Sequence, residues 1–470
     1  MPTDDNRPGN PRERPKADDR HTLREQLSLF SRSATLPSSP QLQSAVSERG
    51  SLASRLASLL QGDLDFHAEN STYGSHALHA FAAKFPPQLP GLFIRALTNP
   101  GDIVLDPMLG SGTAVLEAVR EGRVGVGLDI DPLALKLSRA KTQPLALDLT
   151  RELGNRVLQR ASELLADQAD MERCLASAFD RKTKEFVDYW FLERTQRELL
   201  ALALAIREVD DLAQRRFLEL VFSSIIVTKS GGVSMARDLA HTRPHLDRSK
   251  VPKPALDEYA QRLNRSLRGM AGLAGTSTPA FVIAGDARAI PLAAESVHLV
   301  VTSPPYANAI DYMRAHKFSL VWFGDSIGDL SDLRAQYIGS ERLGQVPSAP
   351  LPSLSQRTVE RLEKDDAKKA GVLRKYYADM LLSIQEMFRV LKQGSAAVIV
   401  VGTSTMRGLN VETHTCLAEL GETAGFRLVG IGERKLDRNR RMMPARFGQE
   451  PGSMIEKRMH VEYVIGLYKG

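Results

Sequence analysis

The sequence predicts a doubly wound, mostly parallel α/β sheet with a largely helical insertion, and three observations predict it. Two strand–loop–helix units follow one another directly after residue 100. Two more short apolar strands appear after residue 280. Between them the chain has a long helical texture with no strand–turn alternation. Strands that alternate with helices make a parallel sheet covered on both faces.

The elements can be justified in order. Residues 1–65 read as a disordered tail. Met1 to Arg20 mixes Pro, Arg, Asp and Asn with almost no apolar residue, too little to offset the entropy of ordering a chain. Within that tail, Leu52 to Leu60 has the makings of a short helix. Pro100-Gly101-Asp102 then punctuates the chain, and Ile103-Val104-Leu105 gives a short buried strand that ends at Asp106. A glycine-bearing turn, Gly110-Ser111-Gly112-Thr113, opens a helix through Val115, Leu116 and Ala118. After Gly122 a second strand, Val124 to Leu128, ends in Asp129-Ile130-Asp131, and Pro132 suits the first position of the next helix. Residues 149–275 carry helical periodicity through Leu153, Val157, Leu164 and Leu165, then Phe186 to Ile206, then Phe217 to Val227. Strands resume at Phe281 to Ala284, followed by Gly285-Asp286, and at Val297 to Thr302, which runs into Ser303-Pro304-Pro305-Tyr306. A charged stretch from 326 to 374 is expected to lie over the surface. A helix from Tyr376 to Leu391, the strand Ala396 to Val401, and candidate strands Phe426 to Ile431 and His460 to Tyr468 complete the sheet.

Composition narrows the function classes. The 470 residues are 43% hydrophobic and 25% charged, ordinary for a globular protein. No run of about 18 apolar residues suggests a membrane span. The N-terminal stretch lacks the apolar core of a secretory signal. The two cysteines, Cys174 and Cys416, lie far apart and outside any metal-ligand spacing. A disulfide framework or zinc site is therefore not expected, and a reducing cytoplasm is the expected location. A net charge of +6 and a pI near 9.2 permit a polyanion partner without requiring one.

The chemistry lies in two motifs. In Asp106-Pro107-Met108-Leu109-Gly110-Ser111-Gly112-Thr113, glycines after a parallel strand let a ligand approach the backbone and its N–H donors. Such a turn by itself could hold a phosphate. No Gly-Lys-Ser/Thr ending follows, however, and a carboxylate suits the α-ammonium of a methionine moiety better than a pyrophosphate. Asp129, at the end of the next strand, can accept ribose hydroxyls. A dinucleotide site would have that acid too, so a nicotinamide dehydrogenase stays as a rival. The second motif is Thr302-Ser303-Pro304-Pro305-Tyr306. An exocyclic base amine is a poor nucleophile because its lone pair is delocalised into the ring. It needs acceptors that hold its two hydrogens. The Ser303 hydroxyl and the Pro304 carbonyl can supply them, held in place by two prolines. Tyr306 offers an aromatic face for an extruded base. In isolation the tetrapeptide could be an ordinary turn.

Together these residues resemble the amino-methylating DNA methyltransferases, whose catalytic motif is Asp/Asn/Ser-Pro-Pro-Tyr/Phe. The resemblance implies a Rossmann-like methyltransferase sheet and S-adenosyl-L-methionine as cofactor. It spans roughly 75–142 and 280–325, and more loosely the final hundred residues. Met108 stands where the family's loop usually has Phe. Lys84-Phe85-Pro86-Pro87 looks like the segment that closes over the methionine moiety. Asp286, with Ala287 beside it, is similar to the acid that accepts from the adenine amino group. The Ser form of the tetrapeptide looks like the cytosine-N4 members, although some adenine-N6 members share it. The cofactor loop precedes the catalytic motif, and family members with that order often place target recognition in an insertion between them. The implied organisation is a cofactor-binding half at 66–148, a helical insertion at 149–275 as candidate target-recognition region, and a catalytic half at 276–470.

DNA is the expected partner. Two basic clusters could meet phosphates: Arg237, Arg243, Arg248 and Lys250 with their neighbours, and Arg438, Arg440 and Arg441. Both could equally be solvated surface. Neither cysteine sits in the Pro-Cys context of ring-carbon methylation. The expected reaction is direct transfer to an amine. The alternatives are an adenine-N6 enzyme, an RNA base-amine methyltransferase, and a non-catalytic nucleic-acid-binding subunit. A restriction endonuclease partner is not legible.

Overall fold

The computed structural model describes residues 50–82, 84–228, 232–237, 239, 244–273, 278–307, 311–340, 350–402, 404–436 and 461–470. In chain order the first elements are α1 (Leu52–Leu60), α2 (Gln88–Leu97), β1 (Ile103–Asp106), α3 (Thr113–Arg120), β2 (Val124–Asp129) and α4 (Pro132–Thr142). Helices α5 (Leu147–Ala166), α6 (Gln168–Ser177), α7 (Arg181–Trp190), α8 (Glu193–Arg207) and α9 (Leu212–Ile226) follow. A small ribbon of β3 (Ala236–Arg237) and β4 (His245–Leu246) precedes α10 (Ala255–Met270). The chain returns to the sheet with β5 (Ala280–Ala284) and β6 (Val297–Thr302). Next come α11 (Met313–Leu320), α12 (Ile327–Gln336), α13 (Ser353–Glu363) and α14 (Ala367–Val390). Strand β7 (Leu391–Gly402), a ribbon of β8 (Thr405–Met406) and β9 (Leu409–Asn410), α15 (Thr413–Thr423), β10 (Arg427–Lys435) and β11 (Val461–Lys469) end the described chain.

The seven-stranded sheet has the order β5-β2-β1-β6-β7-β11-β10. Strands β5, β2, β1, β6 and β7 run parallel, while β11 lies antiparallel to both β7 and β10. From β1 the chain builds outward through β2 to β5, then crosses back to place β6 on the other side of β1. Residues alternate along the strands between the two faces. Val104, Leu299, Val301, Val398, Val400 and Val464 pack toward α1, α2 and α3. Leu105, Val300, Ile399, Val401 and Ile465 pack toward α14 and α15. This period of two is what a sheet covered on both faces requires.

Helices α5 to α10 stand where a simple crossover would join β2 to β5. Their core is continuous with α4, as Leu133 and Leu137 join Phe217, Leu220, Val221 and Tyr259 in one buried cluster. Trp322 belongs to it as well, edge-on to Phe179 and Phe191. Among the described residues no helix is long and apolar enough to cross a membrane.

Two expectations need correction. The tail assigned to residues 1–65 is too long, because residues 50–65 are ordered against the sheet. Ser51 caps α1, and Leu56, Leu60 and Leu64 are buried with Phe93, Val398 and Val464. The apolar spacing of Leu52 to Leu60 outweighs the polar composition around it. The stretch 326–374, read as surface chain, contains α12, α13 and the start of α14. Leu330, Val359, Leu362, Ala370 and Leu373 are buried there, so its charges lie on one side of amphipathic helices.

Candidate active site

Strands β1 and β6 are neighbours, and the chain reverses its direction of sheet growth between them. Their carboxyl ends therefore open into a crevice, where open α/β sheets bind ligands. Asp106 ends β1 and Ser303 follows β6. Thr302 Oγ1 donates to Asp106 Oδ1 at 2.7 Å, so the two sequence motifs are joined side by side. The crevice is a cleft of about 880 Å³ counting its open mouth.

The glycine turn forms the floor. Gly112 has φ +74° and caps α3. A Cβ there would meet Ser138 Oγ at 2.6 Å, so both the backbone angle and the approach of α4 require glycine. From behind, the buried Lys141 donates to Ser111 O at 2.7 Å, and Ser138 Oγ donates to Gly110 O at 3.2 Å. Burial drives the Lys141 amine well below the usual lysine range. It acts as a hydrogen-bonding prop for the turn.

Among the described residues, two carboxylates face the cleft with no cationic side chain as hydrogen-bond partner. Asp106 is 3% exposed. Its hydrogen bonds, from Thr302 and from Met108 N at 3.2 Å, both go to Oδ1. Burial pushes its carboxyl up to about 7. Asp129 accepts from Gly110 N at 2.8 Å and from Asp131 N at 2.9 Å. Burial and the adjacent Asp131 push it up to about 6. A buried acid without a counter-charge is costly, and a ligand bringing an ammonium and hydroxyl donors would relieve that cost. An adenosyl–methionine cofactor meets this donor set.

The structure brings most of the expected cofactor residues together. Lys84, Phe85, Asp106, Pro107, Gly110, Ser111, Thr113, Asp129, Ile130, Asp286 and Ala287 line the cleft, with Ser303 and Pro305 of the tetrapeptide. Pro86 and Gly112 do not line it but shape residues that do. Lys84 points its Nζ at His76 O, 2.7 Å away. Asp286 lines the cleft, yet Arg288 engages both its oxygens, at 2.7 Å to Oδ2 and 3.0 Å to Oδ1. Arg288 also reaches Asp379 at 2.8 Å.

Pro304 and Tyr306 stand outside the cleft lining. The Tyr306 hydroxyl donates to Glu462 Oε1 on β11 at 2.9 Å, and Glu462 in turn pairs with Arg434 on β10. Burial and Glu462 raise the Tyr306 phenol well above its usual value, so it stays a donor.

Phe81 and Met108, inside the segments the resemblance covers, also line the cleft. Sequence reading missed Asp131, Tyr312, Tyr337 and Ile338, which line it too. Asp131 carried a usable signal, an acid directly before a helix-starting proline. Tyr337, Ile338 and Glu462 carried none, because only tertiary packing brings them near.

The basic residues divide. Arg237 and Arg248 are exposed, with Arg237 paired to Asp247. Lys250 departs from the expected phosphate contact. Its Nζ donates to Ser234 O at 2.5 Å and Ala236 O at 3.1 Å, and burial with nearby Arg237 lowers it to about 8. It holds the β3–β4 ribbon instead. Arg243, Arg438, Arg440 and Arg441 lie outside the described residues.

Comparison with known proteins agrees with this geometry. A model of N6/N4 methyltransferases, described as DNA methylase, matches residues 60–140, which carry β1, the glycine turn and β2. The chain is 24% identical over 383 residues to the type II methyltransferase M.MvaI of Kocuria varians, covering 76% of this chain and 83% of that one. It is 20% identical over 380 residues to M.BsoBI of Geobacillus stearothermophilus, covering 70% and 74%. It is 27% identical over 124 residues to M.MjaII of Methanocaldococcus jannaschii, where it spans only 23% of that protein.

Proposed function

We propose that the chain, similar along residues 60–140 to the N6/N4 DNA methylases and over most of its length to M.MvaI, is an S-adenosylmethionine-dependent, amino-methylating DNA methyltransferase that acts on the exocyclic N4 amine of cytosine. The observation that carries this reading is the pairing of Ser303-Pro304-Pro305-Tyr306 with the Asp106 loop across the Thr302–Asp106 hydrogen bond. It sets amine-binding acceptors beside the cofactor cleft. The Ser form of the tetrapeptide favours cytosine over adenine.

S-adenosylmethionine supplies a methyl group activated by its sulfonium. Asp106 binds the α-ammonium, and Asp129 accepts from the ribose hydroxyls. Lys84, Phe85 and Pro86 close over the methionine end, with Ile130 and Ala287 as apolar walls. Gly110, Ser111 and Thr113 of the glycine turn line the approach. Ser303 Oγ and the Pro304 carbonyl accept the two amine hydrogens. That would free the nitrogen lone pair from the ring, so that an N–C bond could form as the S–C bond of the sulfonium breaks, leaving S-adenosylhomocysteine as a neutral thioether and passing the surplus amine proton to solvent. Pro305 holds this turn rigid, and Tyr306 braces the extruded base. No thiol is required. Cys174 lies on α6 and Cys416 on α15, and neither lines the cleft. Arg237 and Arg248, on the β3–β4 ribbon and its exit, are the exposed members of the expected basic cluster and are assigned to phosphate contact.

The test is to incubate the full chain with radiolabelled S-adenosylmethionine and long mixed-sequence DNA, digest to nucleosides, and identify the labelled one by mass. N4-methylcytosine supports the reading. N6-methyladenine overturns the target base and keeps the mechanism. Label in RNA but not DNA, under matched conditions, overturns the substrate class.

A further inference from the structure

Asp131, a carboxylate of the cleft, is engaged at both oxygens. Its Oδ1 accepts from Leu133 N at 2.8 Å and Ala134 N at 3.2 Å, capping α4. Its Oδ2 accepts from His316 Nδ1 at 2.6 Å and from the Tyr337 hydroxyl at 2.9 Å. His316 and Asp131 are 3% and 4% exposed. Both Oδ2 partners come from the chain beyond the catalytic tetrapeptide, His316 from α11 and Tyr337 from the end of α12. The carboxylate itself belongs to the cofactor-binding half.

The connection to the ligand is short. The Asp131 backbone N–H donates to Asp129 Oδ1 at 2.9 Å, so the seating of Asp131 sets the orientation of Asp129. Two neighbouring aspartates, one buried and one half-buried, repel each other. Burial alone would raise Asp131, but His316 and the hydrogen bonds it receives bring it below the usual aspartate value. With Asp131 compensated in this way, Asp129 faces the cleft with one like charge already answered. Two further contacts fix the same partners. Phe81, on the cleft wall, packs against His316 with ring centroids 5.2 Å apart and stacks on Tyr312 at 5.3 Å. Arg288, which grips Asp286, also donates to Gln336 O at 3.0 Å, next to Tyr337.

Resting on the cofactor reading above, we propose that His316 and Tyr337 are positioning residues. They hold Asp131 and thereby fix Asp129 for the cofactor's ribose, so cofactor affinity depends on the chain that follows the catalytic tetrapeptide. Neither residue carries out the methyl transfer itself. Their loss weakens binding and leaves the chemical step at saturating cofactor largely in place.

The test compares the full chain with Tyr337→Phe, His316→Leu and His316→Asn. The Asn amide can donate where Nδ1 did. Calorimetry measures S-adenosylmethionine affinity, and single-turnover DNA methylation at saturating cofactor measures the chemical step. Tyr337→Phe and His316→Leu should each raise Kd about tenfold, the scale of one lost hydrogen bond to a charged group. His316→Asn should stay within about threefold, and the single-turnover rates within about twofold, since an interaction made equally with substrate and transition state alters binding and not kcat. An unchanged Kd for both Tyr337→Phe and His316→Leu overturns the inference. So does His316→Asn binding as weakly as His316→Leu, which would reduce the role to packing. Failure of the unmodified chain to bind S-adenosylmethionine overturns the underlying cofactor reading instead.

Discussion

At the scale of the residue, the uncompensated acids of the cleft make a prediction about pH. Asp106 titrates near 7 because it is buried, and Asp129 near 6 because of burial and Asp131. Below those values the empty cleft holds them protonated, whereas an ammonium and ribose hydroxyls require carboxylates. Binding therefore releases protons below about pH 7, and affinity should rise with pH by up to about tenfold per unit for each proton released, levelling off above it. Calorimetry at pH 5.5 to 8 checks this, and a flat profile would sink the assignment of Asp106. In Asp106→Asn the Asp106 part of the slope should vanish together with most of the affinity. Glu462 supports a second prediction. Because it anchors the Tyr306 hydroxyl, Glu462→Ala should let the ring wander and lower kcat about 10- to 100-fold. Glu462→Gln, which keeps an acceptor, should lose far less, and cofactor affinity should hold in both. Equal loss in the Ala and Gln variants would point to the charge and not to the anchoring. The carboxylates Asp106 and Asp129 were legible in the sequence because each ends a recognisable strand. Glu462 was not, since nothing in a β-strand's alternation says that one polar position will meet a residue far away in the chain.

At the scale of the element, the glycine turn and α1 separate what local pattern reveals from what it hides. The turn was legible because only glycine accepts φ +74° while another helix presses on it. Gly112→Ala should destabilise the protein by about 1–3 kcal/mol, seen as a lower Tm, and should weaken cofactor binding beyond that loss. A Tm within a degree of the unmodified protein would mean that the turn relaxes freely. Helix α1 was placed inside a disordered tail because composition was averaged over 65 residues. Its two buried leucines, Leu56 and Leu60, sit at helical spacing, which marked a helix but not its place against the sheet. Leu56→Ala should cost about 2–5 kcal/mol, the range for a leucine truncated in a packed core. Thermal unfolding would show it, and no change would return α1 to the tail. The helices of 326–374 were hidden for a related reason, since charged faces dominated a stretch whose buried face is narrow. That stretch supplies Tyr337 and Ile338, so the missed helices and those two missed cleft residues are one omission.

At the scale of the whole molecule, the order of motifs along the chain and the order of strands in the sheet answer different questions. The parallel strands were legible from their apolar runs and acidic ends. The position of each strand was not, because a strand's sequence does not name its neighbour. The reversal between β1 and β6 brings Asp106 beside Ser303, although the helices α5 to α10 separate them along the chain. The end of the described chain has the least local position of all. β11 is the last strand in sequence, yet it lies inside the sheet between β7 and β10, and it carries the glutamate that holds Tyr306. During synthesis, the cofactor loop and the catalytic tetrapeptide thus leave the ribosome well before the piece that completes the sheet. A chain interrupted before Val461 has every residue expected to touch cofactor or base but lacks the strand that closes the structure around them. Such a fragment should be recovered as insoluble or protease-sensitive material with no methylation activity. The brace on Tyr306 thus comes from a strand whose glutamate lies 156 positions further along the chain, so the ring keeps its place only while that distant strand is seated in the sheet.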